Sequence, residues 1–558
     1  MAIRETDCND DVVREICKGC GSRSVMSSLS YMRPVEHRGG DVLCEVMDGV
    51  AVYFGYYGRS HFRLVGLAVA RESQRSGYGS RILSRMLLVC RGRGIPRVTF
   101  RCSMSEGFHG FYLKNGARIT GQKDGDYEME IDTGAPPVCA CGYGSPRWTG
   151  EISDCSLPMT FDTYSNCSFG CVYCFSQYQR AIGGGKESYL SKDVKSVDVE
   201  KVKRIFDGEP SQFEPYIRAH RAIQWGGLSD QFDGYERKYG KTLELLRYFK
   251  DKDQAISFST KSTWWTRDER YLELFRGQRN WNVKFSIITE DEDDAAKIEV
   301  GVPSPKERLK AIETIANLGC GGATLRLRPF IIGVSSKTYK SLIRHAAEAG
   351  ADAMTTEFFC LERRATRTAR ENFKVISDVI GHDIVDFYTK NSHGSGYLRL
   401  NRRIKEPYVK KMREIAHECG MRFYVSDAHF KEASDGTCCC GLPESWNFSR
   451  CHFAEALQRC KRNGTVTFSE FSDGIEYLDF GWGDAEGYNT GSVEKRAKFD
   501  GMSMKDYLRY LWNNPRQGQS PYRMFEGVMR PSGRDEKGDL VYEYDQSRTF
   551  VDGGGQNG

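Results

Sequence analysis

Between Met159 and Phe359 the chain repeats one pattern. A short β-branched or aromatic run is followed by a polar, helix-forming stretch, and then by another such run. The runs are MTFDTY from Met159, AIQW from Ala222, ISFST from Ile256, VKFSII from Val283, TLRLRPFII from Thr324 and AMTTEFF from Ala353. Between them lie KTLELLRYFK, PKERLKAIETIANLG and TYKSLIRHAAEAG; the last two end in glycine, a helix-stop signal. Strands separated by helices pair in parallel, because each crossover returns the chain to the same end of the sheet. The pattern therefore predicts an α/β fold with a partial (β/α)6 TIM-type barrel. Its chemistry belongs at the C-terminal ends of the strands.

This pattern occupies only part of the 558 residues, and a chain of that length needs more than one core. The Gly- and Pro-rich stretch IDTGAPPVCACGYGSPRW reads as a linker. The expected division is a first domain over 1–132, a linker over 133–156 and the barrel over 157–430. A Cys-rich segment over 431–465 and an extension over 466–558, ending in a frayed tail, complete it. No apolar run approaches the roughly 18 residues of a membrane span. The polar start MAIRETDCNDD is not a secretory signal. The expected location is the cytoplasm, where clustered cysteines among the 20 present indicate metal or redox chemistry before disulfides. The net charge of +5 permits a nucleic-acid partner without requiring one.

Cys167, Cys171 and Cys174 lie within eight residues, directly after the first barrel strand. Structural zinc wants four ligands at paired spacing. A [4Fe–4S] cluster is held by thiolates, and three of them leave one iron open to a ligand. The CxxxCxxC spacing, with Tyr173 before the last cysteine, resembles the signature of radical SAM enzymes. That resemblance implies that S-adenosylmethionine binds the open iron and is reductively cleaved to a 5′-deoxyadenosyl radical. It also implies a reductant such as flavodoxin or ferredoxin. Gly226 and Gly227 in QWGGLSD match the glycine pair that meets the methionine end of the cofactor; glycine lets a ligand approach the backbone. Ser229, Asp230, Ser259, Thr260 and Lys261 are further cofactor candidates. FSIITEDEDDAAKIEVGVPSPKERL and RLRPFI resemble the spore photoproduct lyase-like branch, which places Glu299, Arg308, Arg326 and Arg328 near the same mouth. Val300 replaces that branch's proline. The branch points to a DNA or RNA base as substrate, and CLERRATRTARENFK and YLRLNRRIKEPYVKKMR offer basic side chains for phosphates.

Downstream, TCCCGLPESWNFSRCHFAEALQRC suggests an auxiliary iron–sulfur cluster or a zinc site, with Cys438, Cys440 and Cys451 as ligands. Adjacent cysteines diverge, so one or two of Cys438, Cys439 and Cys440 are bystanders.

The first domain carries FRLVGLAVARESQRSGYGSRILSRMLLVCRGRG: a strand, a Gly-rich loop and an amphipathic helix. Backbone N–H groups at a helix N-terminus bind anions such as a pyrophosphate. Gln74, Gly77 and Gly79, with the later FYLKNGA, resemble the GNAT N-acetyltransferases. That implies a site for acetyl-CoA or another acyl-CoA, with Tyr112 as general acid. Glu72 reads as a base or as a solvated carboxylate. Cys17 and Cys20, with Cys8, and the pair Cys139 and Cys141 are weaker metal candidates. The combined expectation is radical modification of a nucleic-acid base with acyl transfer in the same pathway. The alternatives are lyase-type DNA repair, with Cys360 returning a hydrogen atom, and modification plus acetylation of a peptide or small metabolite.

Overall fold

The computed structural model describes residues 3–32 (except 9, 21, 23, 24, 26 and 31), 42–57, 61–134, 140–176 (except 142), 194–362, 367–393, 397–479 and 502–549. The chain divides into two compact units, Met1–Ala140 and Cys141–Gly558.

Unit 1 is one seven-stranded sheet with helices against it. Its strands are β1 (Ile3–Glu5), β2 (Val42–Met47), β3 (Ala51–Tyr57), β4 (Phe62–Val69), β5 (Arg97–Ser103), β6 (Ala117–Lys123) and β7 (Asp126–Asp132), ordered β1-β2-β3-β4-β5-β7-β6. All pairs are antiparallel except β4 with β5, which meet only at Phe62–Val98 and Arg63–Thr99. Beyond those two pairs the strands separate. Helix α1 (Asp11–Gly19) buries Val13, Ile16 and Cys17, and α2 (Tyr78–Gly92) buries Ile82, Leu83, Met86 and Cys90 at the i, i+4 spacing of one face. A short helix α3 spans His109–Lys114.

Unit 2 is built on an eight-stranded sheet. In chain order its strands are β8 (Arg147–Trp148), β9 (Met159–Phe161), β11 (Ile223–Trp225), β12 (Ile256–Thr260), β13 (Trp281–Ser286), β15 (Gly322–Phe330), β16 (Ala353–Phe358) and β17 (Arg422–Val425). A two-stranded ribbon pairs β10 (Gly170–Cys171) with β14 (Glu299–Val300). All six expected strands are present, side by side and parallel. The sheet is larger than expected. β17 adds a seventh parallel strand, and β8, inside the expected linker, pairs antiparallel with β9 at the other edge. Among the described residues the sheet is open rather than closed.

Alternation fixes its two faces. Met159, Phe161, Ile223, Trp225, Ile256, Phe258, Trp281, Val283, Phe285, Leu325 and Leu327 point one way into the main apolar core, which Val409, Met412 and Ile415 of the helix Arg402–Glu418 also enter. The opposite face carries Thr160, Gln224, Ser257, Ser259, Asn282, Lys284, Ser286, Thr324, Arg326 and Thr355. Phe453, Phe471, Trp512 and Tyr542 pack into the same core, so the described parts of the expected extension belong to the barrel unit. The expected tail begins at Ser547, but Gln546–Arg548 form a helical turn; from Phe550 onward it lies outside the described residues.

Candidate active site

The cysteine loop is held by a buried ion pair. The β10–β14 ribbon sets Cys171 opposite Glu299, and the Val172 N–H donates to the Ile298 carbonyl at 2.9 Å. Arg308, on the helix Pro305–Ala316, is fully buried; its Nη2 lies 2.6 Å from Glu299 Oε2 and its Nη1 donates to the Ser286 carbonyl at 2.6 Å. The Tyr173 hydroxyl donates to Glu299 Oε1. Glu299 is therefore not the cofactor contact expected of it. Both its oxygens are committed to fastening the loop, and the pair is enclosed rather than solvated.

Burial raises the Cys167 thiol well above its ordinary range, with Asp233 and Asp230 adding to the effect, while the N–H groups of Phe169 and Asp230 point at its sulfur. Burial also raises Cys171, to about 12, against the pull of Lys261. The Lys261 ammonium stands 5.5 Å over the Tyr173 ring, so this candidate does reach the loop. Among the described residues no three Cys, His, Asp or Glu side chains converge closely enough to hold a metal ion. Neutral thiols gain nothing from convergence; only a shared cation, which deprotonates them, draws them together. The donors nevertheless fit a cluster: three thiols on one anchored loop, with backbone N–H groups aimed at one of them.

The glycine turn after β11 lies beside this loop. Gly226 adopts φ +90°, and a Cβ there would stand 2.6 Å from the Ser259 carbonyl and collide with the Gln231 amide. A Cβ at Gly227 would make ordinary contacts, 3.4 Å from Arg147 and about 4 Å from Thr160 and Asp162. Protein packing alone thus requires glycine at 226, and only 227 has room to spare. Asp162, fully buried, accepts the N–H groups of Leu228 and Ser229 at 2.9 Å and pairs with Arg147. Ser229 and Asp230 were expected on a cofactor, but they face inward. The Ser229 hydroxyl donates to the Tyr164 carbonyl at 2.9 Å. Asp230 accepts from the Thr260 hydroxyl at 2.8 Å, the Lys261 N–H at 2.6 Å and the Phe232 N–H at 3.0 Å. Ser259 accepts from Gln224 at 2.9 Å. The sequence reading missed Asp162, Arg147 and Gln231. The Gln231 amide is fully buried with neither its oxygen nor its nitrogen hydrogen-bonded, an unmet polar group beside the cysteine loop.

Arg326 donates to the Ser286 hydroxyl at 3.2 Å, and Arg328 pairs with Glu357. Cys360 follows β16 at its C-terminal end; burial, with the Glu357 carboxylate near, raises its thiol to about 12. Of the basic stretches, 363–366 lies outside the described residues, while Lys405 is buried against Asp427 at 2.8 Å, so it is not available to a phosphate.

Among the described residues the C-terminal cysteines expected at an auxiliary site are likewise not drawn together around a metal position. Cys438 accepts from the Ser156 hydroxyl at 3.0 Å and packs with Leu157, Ala222, Leu442 and Phe448. Cys440 donates to Gln224 at 3.2 Å, whereas Cys451 and Cys460 sit in the main core. Leu157 and Ala222 precede their strands, so this segment plugs the N-terminal end of the sheet, opposite the cysteine loop.

In unit 1, Gly77 (φ +87°) caps α2 without a side-chain cap, leaving the first N–H groups of the helix without internal partners. A Cβ at Gly79 would press on the Phe111 ring at 3.2 Å and lie 3.9 Å from Val69, which places this helix start where β4 and β5 diverge. Gln74 donates to the carbonyls of Val69 and Cys20 at 3.1 and 2.9 Å, holding the loop rather than facing a ligand. The Tyr112 ring packs 4.4 Å from that of Phe100, and burial raises its phenol. Glu72 is exposed. Cys8 and Cys17 lie in an apolar cluster with Val13 and Ile16; Cys139 and the Cys141 side chain lie outside the described residues.

No protein-family model matches the chain, and no curated protein matches it. Among solved structures it is similar to a spore photoproduct lyase variant with bound AdoMet and dinucleoside spore photoproduct. The identity is 17% over 50% of this chain and 80% of that one, with a TM-score of 0.36. It is also similar to the PaiA N-acetyltransferase of Thermoplasma acidophilum in complex with coenzyme A (17% identity, 24% and 98% coverage, TM-score 0.21). A third is the ribosomal-protein-S18-alanine N-acetyltransferase of Escherichia coli (15%, 24% and 93%, TM-score 0.21). Both families to which the sequence bears a resemblance recur among these structures.

Proposed function

We propose that unit 2 is a radical SAM enzyme that modifies a base of DNA or RNA, and that unit 1 transfers an acyl group from acetyl-CoA or another acyl-CoA in the same pathway. Cys167, Cys171 and Cys174 would hold a [4Fe–4S] cluster. When bound, it supplies the one-electron reduction that splits S-adenosylmethionine and releases a hydrogen-abstracting 5′-deoxyadenosyl radical. The chain's own residues give the loop its position. Glu299, Arg308 and Tyr173 fix its backbone, Asp162 clamps the Gly226 turn beside it, and Lys261 brings a cation to Cys171. The observation that carries the reading is the fully buried Arg308–Glu299 pair behind a three-cysteine loop at the C-terminal ends of a parallel sheet. Burial of such a pair costs desolvation energy that a solvated loop would not need.

The test is anaerobic incubation of the iron- and sulfide-loaded full chain with S-adenosylmethionine, a reductant and pools of DNA, tRNA or peptide, followed by nucleoside mass spectrometry. A new or repaired nucleoside supports the reading. Turnover on peptides alone would refute the nucleic-acid substrate. For unit 1, failure to bind acetyl-CoA would refute the acyl-transfer role.

A second reading, lyase-type repair of a DNA lesion, is favoured by Cys360. Its thiol stays protonated at neutral pH at the C-terminal end of a central strand, as returning a hydrogen atom to a substrate radical requires. Cys360→Ala would then divert products without abolishing cofactor cleavage.

A further inference from the structure

We propose that Lys284, Arg326 and Thr355 form an oxyanion-binding subsite on the polar face of the unit 2 sheet, taking a phosphate or carboxylate of a reactant. The register makes them neighbours. Ser286, Arg326 and Thr355 are paired residues on three adjacent parallel strands and so share a face. Lys284 lies two residues below Ser286 on that same face, diagonal to Arg326. Such diagonal neighbours stand about 7–8 Å apart at the backbone, within reach of long side chains.

Three observations point to a ligand. Lys284 is 2% exposed, and its ammonium donates to the neutral Gln224 amide at 2.7 Å. Among the described residues no carboxylate pairs with it or with Arg326, whose guanidinium donates to the Ser286 hydroxyl; the nearby Glu357 is taken by Arg328. The Thr355 hydroxyl, 1% exposed and directly beside Arg326, has no hydrogen-bond partner at all. A buried ammonium and a half-buried guanidinium without counter-charge are costly to desolvate. An oxyanion would meet both charges and the free hydroxyl with charge-assisted bonds. Its chemistry would be that of a nucleotide phosphate or of an amino-acid carboxylate.

The inference uses the sheet that the proposed function assigns to the reaction, but it needs no cluster, so the two fail separately. The experiment is calorimetric titration of the cluster-free full chain with three probes: a 5′-phosphorylated dithymidine dinucleotide, thymidine, and S-adenosylmethionine. The start of α2 in unit 1 also attracts anions, so the readout is the difference between wild type and unit 2 variants. Lys284→Met is expected to weaken one of the two oxyanion-bearing probes at least about tenfold and Thr355→Val by about three- to tenfold, with thymidine unchanged. Dependence confined to the phosphorylated probe identifies a phosphate; dependence confined to S-adenosylmethionine identifies its carboxylate. Thermal unfolding of the ligand-free variants is the second measurement. Removing an unpaired buried charge leaves the Lys284→Met midpoint at or above wild type, whereas a purely structural lysine would lower it. Wild-type affinity for both oxyanion-bearing probes in both variants, or a lowered midpoint in Lys284→Met, overturns the subsite.

Discussion

Arg308→Met tests the clamp behind the cysteine loop. The substitution keeps the volume of the stem and removes a charge that is fully buried, bonded to Glu299 and to the Ser286 carbonyl. Glu299 would keep only the Tyr173 hydroxyl as partner while remaining 2% exposed. Breaking a buried pair from one side costs about 3–5 kcal/mol, because the other charge is stranded. At the roughly 2 °C per kcal/mol expected of a large domain, that is a fall of about 6–10 °C in the midpoint of unit 2. Glu299→Leu should cost a similar amount. The double variant should cost clearly less than the sum, because no charge is left uncompensated and only the Tyr173 hydroxyl and the Ser286 carbonyl lose a partner. Differential scanning calorimetry on the cluster-free full chain measures all four states of the cycle. Bound iron after reconstitution reports whether the loop has lost its position. Additive costs within about 0.5 kcal/mol, or a single-variant loss under about 1 kcal/mol, would refute the claim that the pair is a coupled, desolvated clamp.

Other perturbations separate packing roles from chemical ones. Gly226→Ala should destabilise unit 2 by about 3 kcal/mol through left-handed backbone strain and the clash with the Ser259 carbonyl, whereas Gly227→Ala should cost under about 1 kcal/mol; equal costs in urea unfolding would contradict this. His452 is fully buried with both ring nitrogens unpartnered, and burial lowers its pKa to about 3. The folded state thus refuses a proton that the unfolded chain accepts below about 6.5. The stability is whole above that pH and declines toward pH 3 by up to about 1.4 kcal/mol per pH unit. His452→Phe should flatten that slope in unfolding measured from pH 7 to 4. Cys451→Ala and Cys460→Ala should leave reconstituted iron unchanged, since these thiols pack in the main core. Loss of iron in either variant, measured colorimetrically, would restore the auxiliary site.

The six strand runs were legible because apolar alternation and glycine-ended helices are local signals. The edge strand Arg147–Trp148 was not, since two residues beside a Gly- and Pro-rich stretch carry no period of their own. The cysteine triad announced itself by spacing, but its anchoring did not. Glu299 and Arg308 lie nine residues apart in a charged, surface-like stretch, and only the fold encloses them. Asp162 clamps a turn 66 residues away, and Gln231 is unusual only because burial leaves its amide unpaired. Ser229 and Asp230 were sought on a ligand because they follow a glycine pair, yet a tight turn needs the same residues for its own N–H groups. In the Cys-rich segment, which plugs the foot of the sheet, sequence does not distinguish cysteine used as compact packing from cysteine used for ligation.

The most direct test of the central claim is 5′-deoxyadenosine release by the anaerobically reconstituted full chain, measured beside its Cys171→Ala variant. The account predicts about four irons per wild-type chain, release that depends on a reductant, and loss of both iron and release in the variant. No release from the iron-loaded wild type, or undiminished release from Cys171→Ala, would contradict it.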